Sequence, residues 1–576
     1  MKKRTLGLRM VTAIGACVLV AQGTGFAQGA PIGLTKPVHA TKVDLDPGRL
    51  YSSPAFAVDP KNPLRVVAGV AELRSRRCSV LRSVDGGENW RALEASPSPA
   101  SFPFCSQSQG GVIQTPMAFG RDGTLYMAIG GWDDQDGARA AGAIMLSRSR
   151  DLGDTWEPVV VYNARGKTGD AAENVRPVHA LAVDRTSGSE DTIYVTFNIS
   201  RPNATAPNAA PSLPMVAVSR DGGRTFADPT NLSDKIFEPQ ALRDQAFAAV
   251  TTTTAAPNVT TTSTTTPAAD SKAAQPNQAA NFAGSGARAS VTAGVDGKGT
   301  AYVMWLSGTA NVTPAPPPAR YLSTSTDGGK TWNTAQTMPF SYDNASPRMA
   351  VSPGGTIHIV YGRNPRTDIT GYGEIFHQAS ADGGRTWSEA KVVTDDKPAD
   401  LRGKFFPNIS VAPNGRVDTV WWDTRDDPGI RANDVYYSYS ADDGTTWSAN
   451  RRITDQSVDR KIGVWGANYD INSPPAVSAT NAFALFGWDD SRNSDEAYDI
   501  PANGEAGGGL SDVYTALAQF SEVGPANNDA ARIALAAVVG LLIVGLVLLA
   551  ASLAVKRRNG PPATPVAGKP TTAKVG

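Results

Sequence analysis

Short runs of alternating apolar and polar residues recur along most of this chain. Because alternation over about four to eight residues indicates a strand with one buried face, the pattern predicts an all-β fold. A second such run follows most of the first ones, for example AYVMWLS after residue 300 and IHIVYGR after residue 356. Seven units can be counted by their openings: SSPAFAVDP (52–60), QTPMAFGRDG (114–123), VRPVHALAVD (175–184), ASVTAGVDG (289–297), SPRMAVSPGG (346–355), FPNISVAPNG (406–415) and SPPAVSATN (473–481).

A short motif lies late in six of these units and follows the pattern Ser-x-Asp-x-Gly-x-Thr-Trp. The Asp carboxylate can accept hydrogen bonds from its own turn, and the Gly permits a positive φ, so the motif predicts a tight hairpin turn between two strands. Six aspartates occupy this position and are expected to be structural, because one catalytic centre does not need six copies: Asp85, Asp151, Asp221, Asp327, Asp382 and Asp442. The terminal Trp or Phe should pack on the sheet.

The motif resembles the Asp box, or bacterial neuraminidase repeat, of the sialidase-like β-propellers, and the resemblance covers about residues 50–520. It implies a propeller of four-stranded blades, but families with this repeat differ in activity. They include sialidases, other glycoside hydrolases, sorting receptors and photosystem assembly factors.

The spacing of the units, about 60 residues, fits a four-stranded blade with its loops. Seven openings favour seven blades, whereas six Asp boxes leave six blades as the alternative. The last unit has no Asp box, and DVYTALAQF (512–520) is expected to supply its outer strands. A Thr-, Ala- and Pro-rich stretch within 235–286 lacks the large apolar residues of a blade, so we expect a disordered insertion.

The two ends of the chain predict export and anchoring. Residues 1–27 have the basic start and apolar run of a signal peptide, although a lipidated Cys17 is a weaker alternative. A segment at 28–50 then precedes the propeller at 51–520, and a linker follows at 521–531. Residues 533–555 are uncharged and long enough to cross a bilayer, and basic residues open the Pro-rich tail at 556–576. The positive-inside rule therefore predicts a single-pass protein of the cell membrane with an extracellular propeller and a cytoplasmic C-terminus.

Composition narrows the classes of partner and cofactor. Lys plus Arg and Asp plus Glu each number 54, so the net charge of zero gives no electrostatic reason to expect nucleic acid binding. Cys78 and Cys105 are expected to form a disulfide in an oxidising compartment. With four His residues a His-rich metal site is not expected. No cofactor is predicted, a structural calcium ion among carboxylates stays open, and the oligomeric state is not determined by the sequence.

Propeller topology predicts where a ligand would bind. Strand 1 is innermost, so the start of strand 1 and the end of strand 2 should surround one mouth of the central channel, opposite the Asp boxes. Basic, aromatic and carboxylate residues occur at these positions and could bind or cleave a sugar. The candidates for substrate binding are Arg176, Arg288, Arg348, Trp132, Trp422 and Trp488, and those for catalysis are Tyr469, Asp489 and Asp423.

The resemblance implies a more specific site. Family sialidases clamp the substrate carboxylate with three arginines and use a Tyr nucleophile with a Glu partner and an Asp acid/base. Arg176, Arg288 and Arg348 could form that triad, with Tyr469 or Tyr342 as the nucleophile. The Arg-Ile-Pro motif of the family is absent, the nearest text being Arg49-Leu50-Tyr51, and no Glu stands close to either Tyr.

Three functions therefore remain open. The first is an exo-acting α-sialidase or related glycoside hydrolase on terminal acidic sugars. The second is a non-catalytic propeller that binds glycans or proteins, and the third is a scaffold for an envelope complex. The structural alternatives are ion pairs for the arginines at the blade openings, and packing between blades for the Trp-Asp-x-x-Arg repeats, since a feature repeated by fold symmetry is usually structural.

Overall fold

The computed structural model describes most of the predicted propeller. The chain divides into two compact units, 1–521 and 522–576, and every described residue lies in the first unit. No helix in the described part is long and apolar enough to cross a membrane. The predicted signal peptide, residues 236–286 of the predicted insertion, and the predicted linker, anchor and tail lie outside the described residues. The residues that the structure describes are 31–43, 50–72, 75–105, 115–131, 142–167, 173–175, 180–200, 212–235, 292–306, 320–333, 336–338, 345–363, 373–396, 403–427, 432–459, 462–464, 473–494, 497–498 and 511–520.

Two short N-terminal strands precede the first three blades. They are β1 (Pro31–Leu34) and β2 (Val38–His39). The first blade contains β3 (Tyr51–Val58), β4 (Val66–Glu72), β5 (Arg77–Ser83) and β6 (Arg91–Leu93). The second contains β7 (Met117–Phe119), β8 (Leu125–Gly131), β9 (Ala143–Ser149) and β10 (Glu157–Asn163). The third contains β11 (Asn174–Val175), β12 (Ala180–Asp184), β13 (Thr192–Ser200), β14 (Ser212–Ser219) and β15 (Thr230–Asn231).

The fourth to sixth blades repeat the same four-stranded antiparallel order. The fourth contains β16 (Thr292–Val295), β17 (Ala301–Leu306), β18 (Arg320–Ser325) and β19 (Gln336–Thr337). The fifth contains β20 (Ala345–Val351), β21 (Ile357–Arg363), β22 (Glu374–Ser380) and β23 (Lys391–Val392). The sixth contains β24 (Lys404–Val411), β25 (Val417–Asp423), β26 (Ala432–Ser440) and β27 (Arg451–Arg452), with β28 (Val458–Asp459) also paired to β26.

The seventh blade is built from both ends of the propeller. Its strands are β30 (Ala476–Ala479), β31 (Phe483–Asp490) and β33 (Asp512–Phe520), and β1 and β2 pair antiparallel with the outer edge of β33. We expected residues 512–520 to supply all the outer strands, but they supply only the third. Since strands 3 and 4 of this blade are not consecutive in the chain, they share no hairpin turn, which explains the missing seventh Asp box. A small parallel pair, β29 (Gly463–Val464) and β32 (Ala497–Tyr498), lies outside the blades.

Seven apolar clusters hold neighbouring blades together. Each cluster combines side chains from two consecutive blades, and one of them joins blade 7 to blade 1 through Leu485 and Leu517 against Val66 and Val70. The other six join the remaining pairs in order. Because every blade buries both faces against its neighbours, the ring closes without an exposed sheet face. The chain is therefore a seven-bladed β-propeller, and the six-blade alternative is wrong.

The six Asp boxes form the same hydrogen-bonded turn. In blade 4, Ser325 Oγ donates to Asp327 Oδ1 at 2.9 Å, and Thr331 donates to the same carboxylate through its backbone N at 3.0 Å and its Oγ1 at 2.5 Å. The hydrogen bond from the Thr331 side chain is the main cause that lowers the pKa of Asp327 to about 2. The carboxylates of these motifs are therefore engaged by their own turns, as a structural role requires.

The Gly at the fifth position of each box has a left-handed conformation and little space for a side chain. Gly444 has a φ of 82°, and a Cβ built there would lie 1.9 Å from Cε1 of His377. Position 4 of the box is also left-handed and is filled by Gly in four boxes. Leu152 and Asp443 occupy it in the other two, with φ values of 60° and 56°.

The two described cysteines are joined. Cys78 on β5 and Cys105 in the loop after β6 form a disulfide with their Cα atoms 5.5 Å apart. The bond fastens the loop that follows blade 1 to the third strand of that blade. Both residues are buried within the cluster between blades 1 and 2.

Candidate active site at the channel mouth

The mouth of the channel opposite the Asp boxes is shaped by repeated bulges. Strand 1 of blades 1, 5 and 6 shifts register just before its regular part, between Ser52 and Ala55, Ala345 and Arg348, and Phe405 and Asn408. A proline lies inside each bulge, and since proline lacks a backbone N–H it cannot complete the ladder there. At the bulge of blade 1, Ser52 and Ser53 contact Asp489 at the end of the second strand of blade 7.

The Trp-Asp-x-x-Arg repeats prove to be a structural unit. In blade 6, Trp421 Nε1 donates to Asp423 Oδ2 at 2.9 Å, and Arg425 binds the same oxygen through Nε at 2.9 Å and Nη2 at 2.7 Å. Blade 7 repeats this arrangement with Trp488, Asp490 and Arg492. Each arginine also stacks on a tyrosine of the third strand, Tyr436 or Tyr514.

These contacts correct three expectations for the mouth. Asp423 has no exposed surface and binds its tryptophan and arginine, so it cannot act on a substrate as we expected. Trp422 and Trp488 are also fully buried, and Trp422 Nε1 donates to Ser473 O of blade 7 at 2.9 Å. Neither indole ring can stack on a sugar, because both rings fill the cluster between blades 6 and 7.

Asp489 differs from its counterparts in the other blades. The strand pairing aligns it with one position near the end of strand 2 in every blade, which places Ala71, Gly130, Asn198, Leu306, Gly362, Trp422 and Asp489 in one series. Asp489 is the one ionisable residue in this described series. The other six blades form without a charge at this position, so the blade architecture itself does not require the charge of Asp489.

The surroundings of Asp489 make its carboxyl group a proton donor near neutral pH. Ser52 Oγ donates to Oδ2 at 2.6 Å and Ser53 N donates to Oδ1 at 2.9 Å, so the carboxyl bridges blade 7 and the opening of blade 1. Burial raises the pKa of Asp489 to about 7, although these two hydrogen bonds oppose the rise. Ser53 has a φ of 57°, and its Oγ is buried with no hydrogen-bond partner in the described structure.

Arg348 is the corresponding exception on strand 1. Counted back from the turn to strand 2, it occupies one position in a series of Ala55, Pro116, Ala180, Thr292, Arg348, Asn408 and Ala476. Asn408 in the next blade donates its side-chain amide to Pro475 O at 3.0 Å, which shows that this position faces the adjacent strand opening. Arg348 is the one charged member of the series.

The guanidinium group of Arg348 has no anionic partner among the residues that the structure describes. It is partly buried, and burial lowers its pKa without removing its charge at neutral pH. The expected alternative, an ion pair that only holds the fold, is therefore not seen for this residue within the described part. A partly buried and unpaired guanidinium can bind a carboxylate through two hydrogen bonds.

The same side of the seam between blades 5 and 6 carries a charged network. Lys404 Nζ lies 2.6 Å from Asp396 Oδ2, and Arg425 Nη1 lies 2.8 Å from Asp395 Oδ1. Glu374 is buried beside them, and desolvation raises its pKa. Its ion pairs join residues of blade 5 to residues of blade 6, so we assign the network to the connection between the blades.

One acid–phenol pair was not anticipated from the sequence. Tyr162 on β10 donates its hydroxyl to Glu173, and Lys167 Nζ lies 2.7 Å from Glu173 Oε2. Burial and the bond to Glu173 raise the pKa of Tyr162, which disfavours its phenolate. Because β10 is the outermost strand of its blade, the pair ties the crossing to blade 3. No short sequence spacing signals it, since the two residues are separated by 11 positions in the chain.

The other predicted site residues lie outside the described part of the chain. They are Arg176, Arg288, Trp132 and Tyr469, and the alternative nucleophile Tyr342 also falls there. Within the described ranges, no group of three or more His, Cys, Asp or Glu side chains is arranged to hold a metal ion. The structure thus brings Asp489 and Arg348 to the same mouth, on blades that flank blade 6.

Comparison with known proteins adds context for the fold. No family model matches the chain, and no curated protein matches it in sequence. Among solved structures, a Hadza microbial sialidase is 15% identical with a TM-score of 0.41, covering 78% of this chain and 73% of its own. The Trypanosoma rangeli sialidase is 11% identical with a TM-score of 0.39, covering 71% of this chain and 56% of its own. The Penicillium chrysogenum α-L-arabinanase is 12% identical with a TM-score of 0.37, covering 73% of this chain and 99% of its own.

Similarities of this size assign no activity to the chain, because one fold carries many activities. The closed ring of seven blades and the six hydrogen-bonded Asp boxes define the class on their own. The fold is a sialidase-like β-propeller, as the sequence motif predicted.

Proposed function

We propose that this protein is a glycosidase-like propeller that acts on terminal acidic sugars, with an exo-α-sialidase as the specific candidate. The single observation that carries the proposal is the pair of charges that break the blade symmetry at one mouth. Arg348 and Asp489 stand where the other blades have uncharged residues, and Arg348 has no partner among the described residues. The guanidinium group of Arg348 is therefore available for a substrate, whereas the Asp489 carboxyl also joins blades 7 and 1 through Ser52 and Ser53.

Arg348 is proposed to bind the carboxylate of the sugar. A guanidinium group matches a carboxylate in geometry and charge, and partial burial strengthens the contact by excluding water. In the sequence, Arg176 and Arg288 precede β12 and β16 of two other blades, and we propose that they complete the clamp. Binding of the sugar carboxylate does not require that the sugar is cleaved, so the same role applies to a propeller that binds glycans without hydrolysing them.

Asp489 is proposed to act as the general acid. A carboxyl group with a pKa near 7 is half protonated at neutral pH and can give its proton to the departing glycosidic oxygen. Tyr469, which precedes the opening of blade 7, is the proposed nucleophile. Tyr162 is not, because its phenol is held by Glu173 and Lys167 on an outer strand.

The proposal is tested with a fluorogenic aryl sialoside and the full chain. Asp489→Asn and Arg348→Ala should each lower kcat/KM by about 100-fold, since a general acid and a charge-assisted pair each contribute about this much. Tyr469→Phe should abolish turnover, and Tyr162→Phe should leave it within about twofold. Arg385→Ala and Asp154→Asn remove like charges from the opposite face and serve as controls. Equal activity in all variants would refute the proposed site.

Glycan binding without turnover is the second candidate function. It is favoured by the state of the neighbouring carboxylates, because Asp423 and Asp490 are saturated by their arginines and neither can act as a second acidic residue beside Asp489. A folded protein that binds sialosides without cleaving them, and loses that binding in Arg348→Ala, would establish this function. Scaffolding of an envelope complex would instead show as a co-purifying partner with no glycan dependence.

We also propose that the protein is exported and anchored, with residues 1–27 removed and residues 533–555 in the membrane. The support comes from the sequence of these segments and from the disulfide, which suits an oxidising compartment. Ending the chain after residue 525 should release the propeller into the medium. If the shortened protein stays with the membrane fraction, the proposed anchor is not needed.

A further inference from the structure

The chain leaves the propeller on the face opposite the candidate site. Strand β33 runs antiparallel to β31, and its end lies at the turn between the first two strands of blade 7, where Phe520 N donates to Ala482 O at 2.8 Å. The Asp-box turns lie at this same end of the blades. Residues that follow Phe520 therefore start from the Asp-box face, whereas Arg348 and Asp489 lie at the other mouth.

Blade 1 presents exposed apolar side chains next to this exit. Its Asp box packs against blade 7, since Trp90 Nε1 donates to Thr515 Oγ1 of β33 at 3.2 Å. Leu64 and Val84 are 52% and 63% exposed, and Gly86 N donates to Leu64 O at 2.9 Å, so the two turns that carry them lie together.

A cavity of 480 Å³ opens beside these side chains, between blades 1 and 2. Its wall includes Lys61, Arg65 and Arg150, together with Asp59, Asp122 and Leu152. Lys61 Nζ and the Arg150 guanidinium have no hydrogen-bond or ion-pair partner in the described ranges. Asp59 accepts from Lys61 N at 2.9 Å and lies 3.8 Å from Arg65 Nη1, and Asp122 accepts from Thr124 N at 2.9 Å. Three cationic and two carboxylate side chains therefore line the cavity, which gives its wall a net charge of +1.

Leu152 adds a feature that the turn itself does not favour. It occupies the left-handed fourth position of its Asp box at a φ of 60°, where most of the other boxes have Gly. A branched residue in this conformation is strained, and such strain is retained where a side chain has a use. The Leu152 side chain packs on the apolar cluster between blades 1 and 2 and also lines the cavity. We name Leu64, Val84, Lys61, Arg65, Arg150 and Leu152 the blade 1–2 patch.

We propose that the blade 1–2 patch docks on the anionic headgroups of a phospholipid bilayer. The cationic cavity takes a lipid phosphate, and Leu64 and Val84 reach the boundary of the acyl chains. The occupant is indicated by the chain itself, because Phe520 ends β33 at this face and the sequence that follows it includes the apolar run 533–555. This inference rests on the proposed membrane location and not on the proposed activity. In this orientation the channel mouth that contains Arg348 faces away from the bilayer.

The test uses the full chain in vesicles and a fluorophore on Val84→Cys. Ala381→Cys carries the control fluorophore, because it holds the same Asp-box position in blade 5. Vesicles of phosphatidylcholine, with and without phosphatidylglycerol, carry a headgroup quencher. The fluorophore at position 84 should be quenched at least about twofold more strongly when phosphatidylglycerol is present, and the fluorophore at position 381 should not respond.

Charge variants then distinguish binding by the blade 1–2 patch from a general electrostatic attraction of the protein to anionic vesicles. Lys61→Gln/Arg65→Gln/Arg150→Gln should reduce quenching at position 84 to the level of neutral vesicles. Lys298→Gln/Lys330→Gln/Arg385→Gln removes the same charge from blades 4 and 5 on the same face and should change nothing. Equal effects of the two triple variants would overturn the proposal.

Two further outcomes are distinguished by flotation. A chain that does not float with the vesicles refutes the proposed anchor, whereas a chain that floats with an unquenched fluorophore at position 84 refutes the docking alone. Inorganic phosphate that protects residues 59–65 from hydrogen exchange, with no lipid quenching, would also overturn the docking and assign the cavity to a free anion.

Discussion

At the scale of single residues, the candidate site is recognised by what the blades do not share. The sequence directed attention to Trp-Asp-x-x-Arg because it recurs, and the structure shows that recurrence comes from packing. Trp421 and Trp488 occupy equivalent positions in blades 6 and 7, because each donates to the Asp two residues later. The sequence alone suggests instead that Trp422 is equivalent to Trp488, one residue away from the true alignment. Asp489 of blade 7 is therefore equivalent in position to Trp422 of blade 6. A one-residue shift cannot be read from sequence when two tryptophans are adjacent, so Asp423 and Asp489 could not be told apart beforehand.

Asp489 should also affect stability in a measurable way. Its pKa is raised from 3.8 in the unfolded chain to about 7 by burial, so the folded state binds the extra proton between these values. Stability from this group therefore falls as pH rises from about 4 to 7, and by about 2–3 kcal/mol between pH 5 and pH 8. Asp489→Asn should remove that fall in urea unfolding, and Asp154→Asn should not. An unchanged slope in Asp489→Asn would mean that the carboxyl titrates normally.

A buried histidine pair should act in the opposite direction. His358 Nδ1 and His377 Nε2 lie 3.2 Å apart between blades 5 and 6, and desolvation lowers their pKa values to about 4 and about 3. Both are below the unfolded value of 6.5, so the contribution is complete above pH 6.5 and is lost as pH falls toward 4. His358→Leu/His377→Leu should flatten this part of the urea midpoint curve. A curve identical to that of the wild type would contradict the assigned cause.

At the scale of elements, the Asp box could be predicted in detail because it is local. The Ser, Asp, Gly and Thr of the motif lie within a few residues of one another, and their hydrogen bonds do not depend on distant parts of the chain. The acid–phenol pair of Tyr162 and Glu173 is different, since the two residues are separated by 11 positions in the chain. Sequence spacing alone carries no signal for such a contact.

Two glycines with similar φ values should separate conformational strain from lack of space. Gly444 and Gly415 have φ values of 82° and 88°, but a Cβ meets His377 only at Gly444 and has open space at Gly415. Gly415→Ala should cost about 1 kcal/mol of unfolding free energy, and Gly444→Ala about 3 kcal/mol. Chemical denaturation measures both. Equal losses would mean that the His377 ring moves aside without cost.

At the scale of the whole molecule, the number of blades could be predicted from the sequence, but the closure of the ring by the N-terminal strands could not. Repeated openings identify blades because each blade is a local unit. The fourth strand of blade 7 comes from the opposite end of the propeller, and Thr35 N donates to Leu517 O across more than four hundred residues. No local pattern distinguishes such a strand from an N-terminal extension.

The N-terminal strands should therefore decide whether the ring is stable. Removal of residues 31–43 exposes the edge of β33 and removes the His39–Tyr514 and Thr41–Asp512 contacts. We expect the Tm of this variant to fall by more than about 10 °C, with exposed apolar surface that binds a hydrophobic dye. A peptide of residues 31–43 should restore part of the loss. An unchanged Tm would contradict closure by these strands.

The most direct measurement of the proposed site is the pH dependence of kcat/KM for an aryl sialoside. For the full wild-type chain we predict a decline above an apparent pKa of about 7, which follows the loss of the Asp489 proton. The decline should be absent from the residual activity of Asp489→Asn and present, at about 100-fold lower activity, in Arg348→Ala. A profile with the same decline in Asp489→Asn, or activity that does not depend on Arg348, would show that these two charges do not form the site.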